Sequence, residues 1–183
     1  NVAPVLTNPG AQGGTVGVAV SLQLAATDGN SDPLTFSASG LPAGLSISAA
    51  GLITGTPTTA GANTVTATVS DGRGGTASET FSWTIAAANV APVLTNPGAQ
   101  GGTVGVAVSL QLAATDGNSD PLTFSASGLP AGLSISAAGL ITGTPTTAGA
   151  NTVTATVSDG RGGTASETFS WTIAAANVAP VLT

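Results

Sequence analysis

The chain has 183 residues, 42% of them apolar and only 5% charged, with a formal charge of −6. Two arginines and no lysine exclude nucleic acid as a partner, because phosphate backbones need clustered cations, and rule out a lysine isopeptide crosslink. The absence of histidine removes the usual general base, and the absence of cysteine removes disulfides, thiolate zinc sites and thiol nucleophiles. The string NVAPVLT starts at Asn1, Asn89 and Asn177, a period of 88 residues, and residues 1–88 and 89–176 are identical. A unit of this size can close its own core and is far longer than a β-helix coil. The repeat predicts two tandem domains, 1–88 and 89–176, with 177–183 the start of a truncated third copy. The chain opens in mid-pattern, which predicts a piece of something longer. No apolar run approaches the roughly 20 residues of a membrane helix, so no membrane insertion is expected.

Within one unit, Val2–Leu6 reads as an extended lead-in, with Pro4 suited to an edge or linker position. Asn8-Pro9-Gly10 is a turn cluster. Val18, Val20, Leu22, Leu24 and Ala26 then share one face of a period-two segment over 16–26, which predicts a half-buried strand. Residues 27–33, TDGNSDP, form a loop. Leu34, Phe36 and Ala38 alternate with Thr35 and Ser37, and short strands follow at Leu45–Ile47 and Leu52–Thr54. After the loop GTPTTAG, Val65, Ala67 and Val69 alternate with Thr64, Thr66 and Thr68. Asp71–Gly75 is a hairpin loop, and Phe81, Trp83 and Ile85 line one face of the last strand. About seven short strands and no helical stripe predict an all-β fold: two tandem antiparallel β-sandwiches of immunoglobulin type. All three aromatic residues of the unit fall at inward positions, so core is their expected role.

The run PLTFSASGLPAGLSIS, with GLITGTPTTAG, TVTATVSDGRGG and FSWTI after it, resembles the bacterial "Putative Ig" domains and the related dystroglycan-type cadherin-like domains. The resemblance covers nearly all of each unit, and its LPAGL…GLITGTP segment is the specific part. It implies tandem domains of large secreted or cell-surface bacterial proteins, notably adhesins, and therefore an extracellular location. It implies a stalk or spacer and no enzyme.

The acids of a unit are Asp28, Asp32, Asp71 and Glu79. In an immunoglobulin-type sandwich their loops lie at the end where the first strand enters, so the negative charge is expected at the N-terminal pole. Crowded carboxylates repel unless a cation or water intervenes, and calcium takes 6–8 oxygen ligands. Asn89, Asp116, Asn118, Asp120 and Asp159 have the right chemistry, as do Asn1, Asp28, Asn30, Asp32 and Asp71 in the first copy. Cadherin-like domains share calcium between neighbours through a linker Asn, an A-x-D-x-D loop and a D-G loop. Here Asn89-Val-Ala-Pro92, Ala114–Asn118 and Asp159-Gly160 match, but Asn118 replaces a carboxylate and the opposite pole carries no acids. The resemblance thus implies one calcium ion per joint at most. The other reading is ordinary turn chemistry, with Arg73 paired to Asp28 or Asp32 in place of an ion. Glu79 shares the phase of Phe81 and Trp83, which predicts a rim position or a bulge. DGNSD opens like an EF-hand loop but carries Pro33 at the sixth position and Ser39 at the twelfth, so that reading fails.

Paired carboxylates could hydrolyse glycosides, but no aromatic cleft is predicted to hold the sugar. Thr64–Thr68 suggests an ice-binding face, yet one strand supplies one row where many are needed. The expected function is a non-catalytic spacer of an adhesin-like protein, stiffened by calcium at the joint. Its expected partners are neighbouring repeats and, through domains outside this chain, a host or sister-cell surface; the chain itself is expected to be a monomer. The alternatives are a carbohydrate- or protein-binding adhesion module, and an accessory domain of a secreted hydrolase.

Overall fold

Residues 1–177 and 179 are described by a computed structural model, so the expected third copy at 177–183 lies almost wholly outside the described residues. The chain divides into two compact units, Asn1–Ala88 and Asn89–Thr183. The first contains β1 (Val5–Leu6), β2 (Gln12–Thr15), β3 (Val20–Gln23), β4 (Ala26–Thr27), β5 (Thr35–Ser39), β6 (Leu45–Ile47), β7 (Leu52–Gly55), β8 (Gly61–Ser70) and β9 (Thr76–Ala86). The second repeats them 88 residues on, from Val93–Leu94 to Thr164–Ala174. Each unit is an all-β sandwich. One sheet has the order β2-β9-β8-β5, the other β3-β7-β6, and β1 pairs with β4 beside them.

The longest ladder joins β8 to β9 in antiparallel register from Gly61↔Ile85 to Ser70↔Thr76. Its period-two alternation drives Val65, Ala67 and Val69 inward from one strand and Phe81, Trp83 and Ile85 from the other. Ile53 from β7 closes the core from the facing sheet, and it is 0% exposed. The Phe81 and Trp83 rings lie 6.2 Å apart, tilted at 42°. The outward positions carry hydroxyls in rows that cross three strands, since Ser37 faces Thr68 and Thr68 faces Ser78. Thr68 and Ser78 hydrogen-bond at 2.8 Å, and Thr66 and Thr80 at 3.3 Å. The threonines of β8 are therefore the middle of a three-strand hydroxyl face, where the sequence suggested a single row.

Two local features depart from the sequence reading, and a third decides between its alternatives. The segment over 16–26 does not run as one strand. Thr15–Val18 is a turn closed by a Val18 N–H to Thr15 C=O bond, with Gly17 at φ +82°, so Val18 is 58% exposed and the strand starts at Val20. The Asn8–Gly10 turn falls where expected, but the strand after it is unexpected: β2 crosses to the other sheet, where it runs parallel to β9 from Gln12↔Trp83 to Thr15↔Ala86. Gly14 permits this approach: a Cβ there would lie 3.0 Å from Ile85 Cδ1. Glu79 stands opposite Ala67 in an unbroken ladder, so no bulge accommodates it. It accepts a hydrogen bond from Asn8 Nδ2 at 2.8 Å, at the rim of the core.

Ile53 is fully enclosed, so its truncation removes buried contacts on every side. Ile53→Ala together with Ile141→Ala should destabilise each unit by about 2–5 kcal/mol, seen as a lower urea midpoint with unchanged m-value.

Candidate cation site at the N-terminal pole

The loop over 27–33 and the loop over 71–75 lie at the same end of the sandwich as the lead-in segment. Asp71 is the anchor. It is only 3% exposed, and its Oδ1 accepts the backbone N–H groups of Arg73 (2.7 Å) and Gly75 (2.9 Å). This Asx-type bonding shapes the hairpin loop locally. Its Oδ2 accepts the Asn1 Nδ2 amide at 2.7 Å, which ties the start of the chain to a residue 70 positions away. Gly75 makes the approach possible, because a Cβ there would meet Asp71 Oδ2 and come within 2.9 Å of Ala3 Cα.

Asp28 organises the second loop in the same manner. Its Oδ1 accepts the N–H groups of Asn30 (2.8 Å) and Asp32 (3.0 Å), and Ser31 between them adopts φ 60°. Asn30 Oδ1 accepts the Val2 N–H at 2.6 Å, so this amide holds the lead-in backbone. Asp32 Oδ1 lies 3.1 Å from Arg73 Nε, in a pair whose aspartate side chain is 8% exposed and whose arginine side chain is 67% exposed. The ion pair weighed from sequence therefore forms, with Asp32 as the partner.

One carboxylate oxygen from each of Asp28, Asp32 and Asp71 lies within 4.8 Å of the other two. Asp28 Oδ2 and Asp32 Oδ2 are buried and have no hydrogen-bond partner. Two desolvated, unpaired anionic oxygens are costly unless a cation meets them. Their chemistry, three carboxylates with neighbouring amides and carbonyls, suits a hard oxygen-seeking ion. The second unit repeats the bonds: Asn89 Nδ2 to Asp159 Oδ2 at 2.7 Å, Val90 N–H to Asn118 Oδ1 at 2.7 Å, and Arg161 Nε to Asp120 Oδ1 at 2.8 Å. Asp116 Oδ1 likewise accepts the N–H groups of Asn118 and Asp120, and Asp116 Oδ2 and Asp120 Oδ2 are again buried and unpartnered.

The sequence-derived sets thus meet in space within each unit, with a division of labour. In the first unit the three Asp residues form the cluster; Asn1 and Asn89 bond to Asp71 and Asp159, and Asn30 and Asn118 hold the backbone of Val2 and Val90. Glu79 stands apart, bonded to Asn8, so the pole does not collect every acid of the unit. The roles of Gly75 and Asn30 were missed from sequence, because both depend on contacts across the fold that no local spacing signals. All six aromatic side chains are buried or half-buried, Phe36 lying over Gly51.

The Asn1 amide, followed by the Arg73 backbone N–H, holds the Asp71 carboxyl below the usual carboxylate range. Asn89 does the same for Asp159, opposed by burial. A depressed folded pKa adds stability that is full above the unfolded value, about 3.9, and is lost as pH falls through the folded value. Asp71→Asn with Asp159→Asn should therefore flatten the fall in stability between about pH 5 and pH 2, measured by urea titration across that range. An unchanged slope would remove Asp71 from the acid response.

Comparison with known proteins matches the profile of the family described as "Putative Ig domain" to residues 3–86 and 91–174. The "Serine-rich adhesin for platelets" of Staphylococcus aureus (strain MRSA252) is 34% identical over 153 residues, covering 82% of this chain and 11% of that protein. The homologue from strain MSSA476 has the same identity, over 7% of its length. The chain therefore spans about a tenth or less of the curated relatives it matches. Among solved structures, human protocadherin-24 EC1-2 aligns with a TM-score of 0.66 at 18% identity, over 95% of this chain and 99% of that one. Titin domains I67-I69 align at 0.61 with 11% identity, over 96% of this chain and 67% of that one. At such identities the likeness is one of fold.

Proposed function

As the chain belongs to the Putative Ig domain family, we propose that it is a non-catalytic spacer from a bacterial cell-surface protein of adhesin type, holding one calcium ion in each repeat. The observation that carries the spacer role is where the chain enters and leaves a unit. Asn1 is bonded to Asp71 in the loop between β8 and β9, whereas the chain leaves from Ala86 at the far end of β9. Eleven strand residues separate these ends, roughly 33 Å at the usual rise. A unit that enters at one pole and leaves at the other adds length with every copy. Tension on its two ends loads the parallel β2–β9 ladder in shear, so its bonds resist together.

The calcium reading rests on the buried, unpartnered oxygens of Asp28 and Asp32 beside Asp71, and on the buried, unpartnered oxygens of Asp116 and Asp120 in the second unit. Asn1 and Asn89 complete the set if their amides turn to present oxygen. Asn30 and Asn118 support it by fixing the lead-in backbone. The bound ion would neutralise the cluster and hold both loops together. Because every one of these residues belongs to a single unit, the ion stiffens a repeat from within and anchors the segment through which that repeat is entered.

The location we assign is extracellular, and the chain acts as a monomer whose immediate partners are the preceding and following repeats. Adhesion to a host or sister cell belongs to other parts of the parent protein. On a bacterial surface, a terminal epitope should become more accessible to antibody as copies are inserted beneath it; accessibility independent of copy number would refute the spacer role. Calcium at about ten times its dissociation constant should raise the melting temperature by about 5–10 °C over excess chelator. Asp28→Asn with Asp116→Asn should abolish that rise. A melting temperature indifferent to calcium would remove the ion and leave the spacer.

A further inference from the structure

Each unit contains one positively charged side chain, Arg73 or Arg161, and it lies against the acidic cluster. Nε of Arg73 is 3.1 Å from Asp32 Oδ1, and Nε of Arg161 is 2.8 Å from Asp120 Oδ1. The two partners differ sharply in solvation: the Asp32 side chain is 8% exposed and the Arg73 side chain 67%. The carboxylate is held in place by its loop, while the arginine reaches in from solvent on a long flexible stem. The second oxygen of Asp32, and one of Asp28, remain buried without a partner. One arginine thus offsets only part of the charge of three carboxylates.

We propose that Arg73 and Arg161 are tethered counter-ions that compete with the divalent cation for Asp32 and Asp120. The inference rests on the cation reading above and concerns what sets its affinity. A divalent ion among these carboxylates would face a guanidinium at ion-pair distance from the same aspartate, and like charges so close oppose each other. Loading therefore requires the arginine to leave the buried Asp32 side chain for solvent, and the cost of breaking that half-buried pair is subtracted from the ion's affinity. Without the ion, the arginine returns and limits repulsion among the carboxylates, so the empty unit still folds. The competition weakens calcium binding towards the range of extracellular modules, about 10⁻⁴–10⁻³ M. Such a site stays empty at micromolar calcium and fills only where calcium is millimolar. The arginine lies in the loop DGRGG, and its own backbone N–H, like that of Gly75, is bonded to Asp71 Oδ1, so its position is set by the same carboxylate that builds the site.

The test uses the full two-unit chain and calcium alone, with affinity read by calorimetry and folding by circular dichroism. Arg73→Gln with Arg161→Gln should bind calcium at least about tenfold more tightly than the native chain. Arg73→Lys with Arg161→Lys should stay near native affinity, because the charge is kept. Adding Asp32→Asn with Asp120→Asn to the Gln variant should remove the gain. Equal or weaker binding by a folded Gln variant, while the native chain binds, overturns the counter-ion role and leaves the calcium reading standing. Binding by the Gln variant alone upholds the counter-ion role and overturns calcium binding by the native chain. Binding by neither overturns both.

Discussion

The antiparallel register of β8 and β9 is the constraint on which the rest of each unit depends. It pairs residues from Gly61↔Ile85 through Ser70↔Thr76 and sends Val65, Ala67, Val69, Phe81, Trp83 and Ile85 to one side. A slip of one residue would turn that whole set to solvent and bring the hydroxyls inside. The ladder also sets the length of the unit, carries the hairpin loop with Asp71 at one end, and delivers the chain to Ala86 at the other. Core, candidate site and the opposite placement of the unit's two ends follow from one pairing.

The pole built on that hairpin concentrates charge in a chain that has little. Elsewhere the outer sheet face relies on hydroxyls: Thr66 with Thr80 and Thr68 with Ser78 bond across the strands while remaining open to water. Neutral hydroxyls keep a sheet face hydrated with no need for lysine or glutamate. The acids are thereby left for the loops, where Asp28 and Asp71 each use one oxygen to shape backbone. The remaining oxygens are what make the pole electrostatically unfinished. Arg73 completes it in part, and a divalent ion would complete it further.

Much of this was legible beforehand. Alternation of β-branched and hydroxyl residues over 64–69 identified both the strand and its inward face, and the aromatic residues were placed in the core by phase alone. The loops at 27–33 and 71–75 were readable because Asp-Gly and Asn-Ser-Asp-Pro favour their own local backbone bonds. Three errors share one cause. Val18 continued a period-two pattern but belongs to a turn; no strand was read over 12–15, where β2 forms; and Glu79 was assigned to the pole. In each case a contact distant in sequence, Gly17 N–H to Pro57 C=O, β2 on β9, or Asn8 on Glu79, overrides the local pattern.

By itself the sequence determined the repeat, the all-β sandwich, the inward faces and the residues that carry charge, because these depend on identity and on a period of two along a strand. Only the tertiary structure decided that β2 runs parallel to β9, that Asn1 reaches Asp71 across 70 positions, and that Arg73 selects Asp32. It also left one oxygen each on Asp28 and Asp32 buried and unpartnered. Those outcomes depend on loop closure and on register between strands far apart in the chain, and period-two alternation carries no information about either.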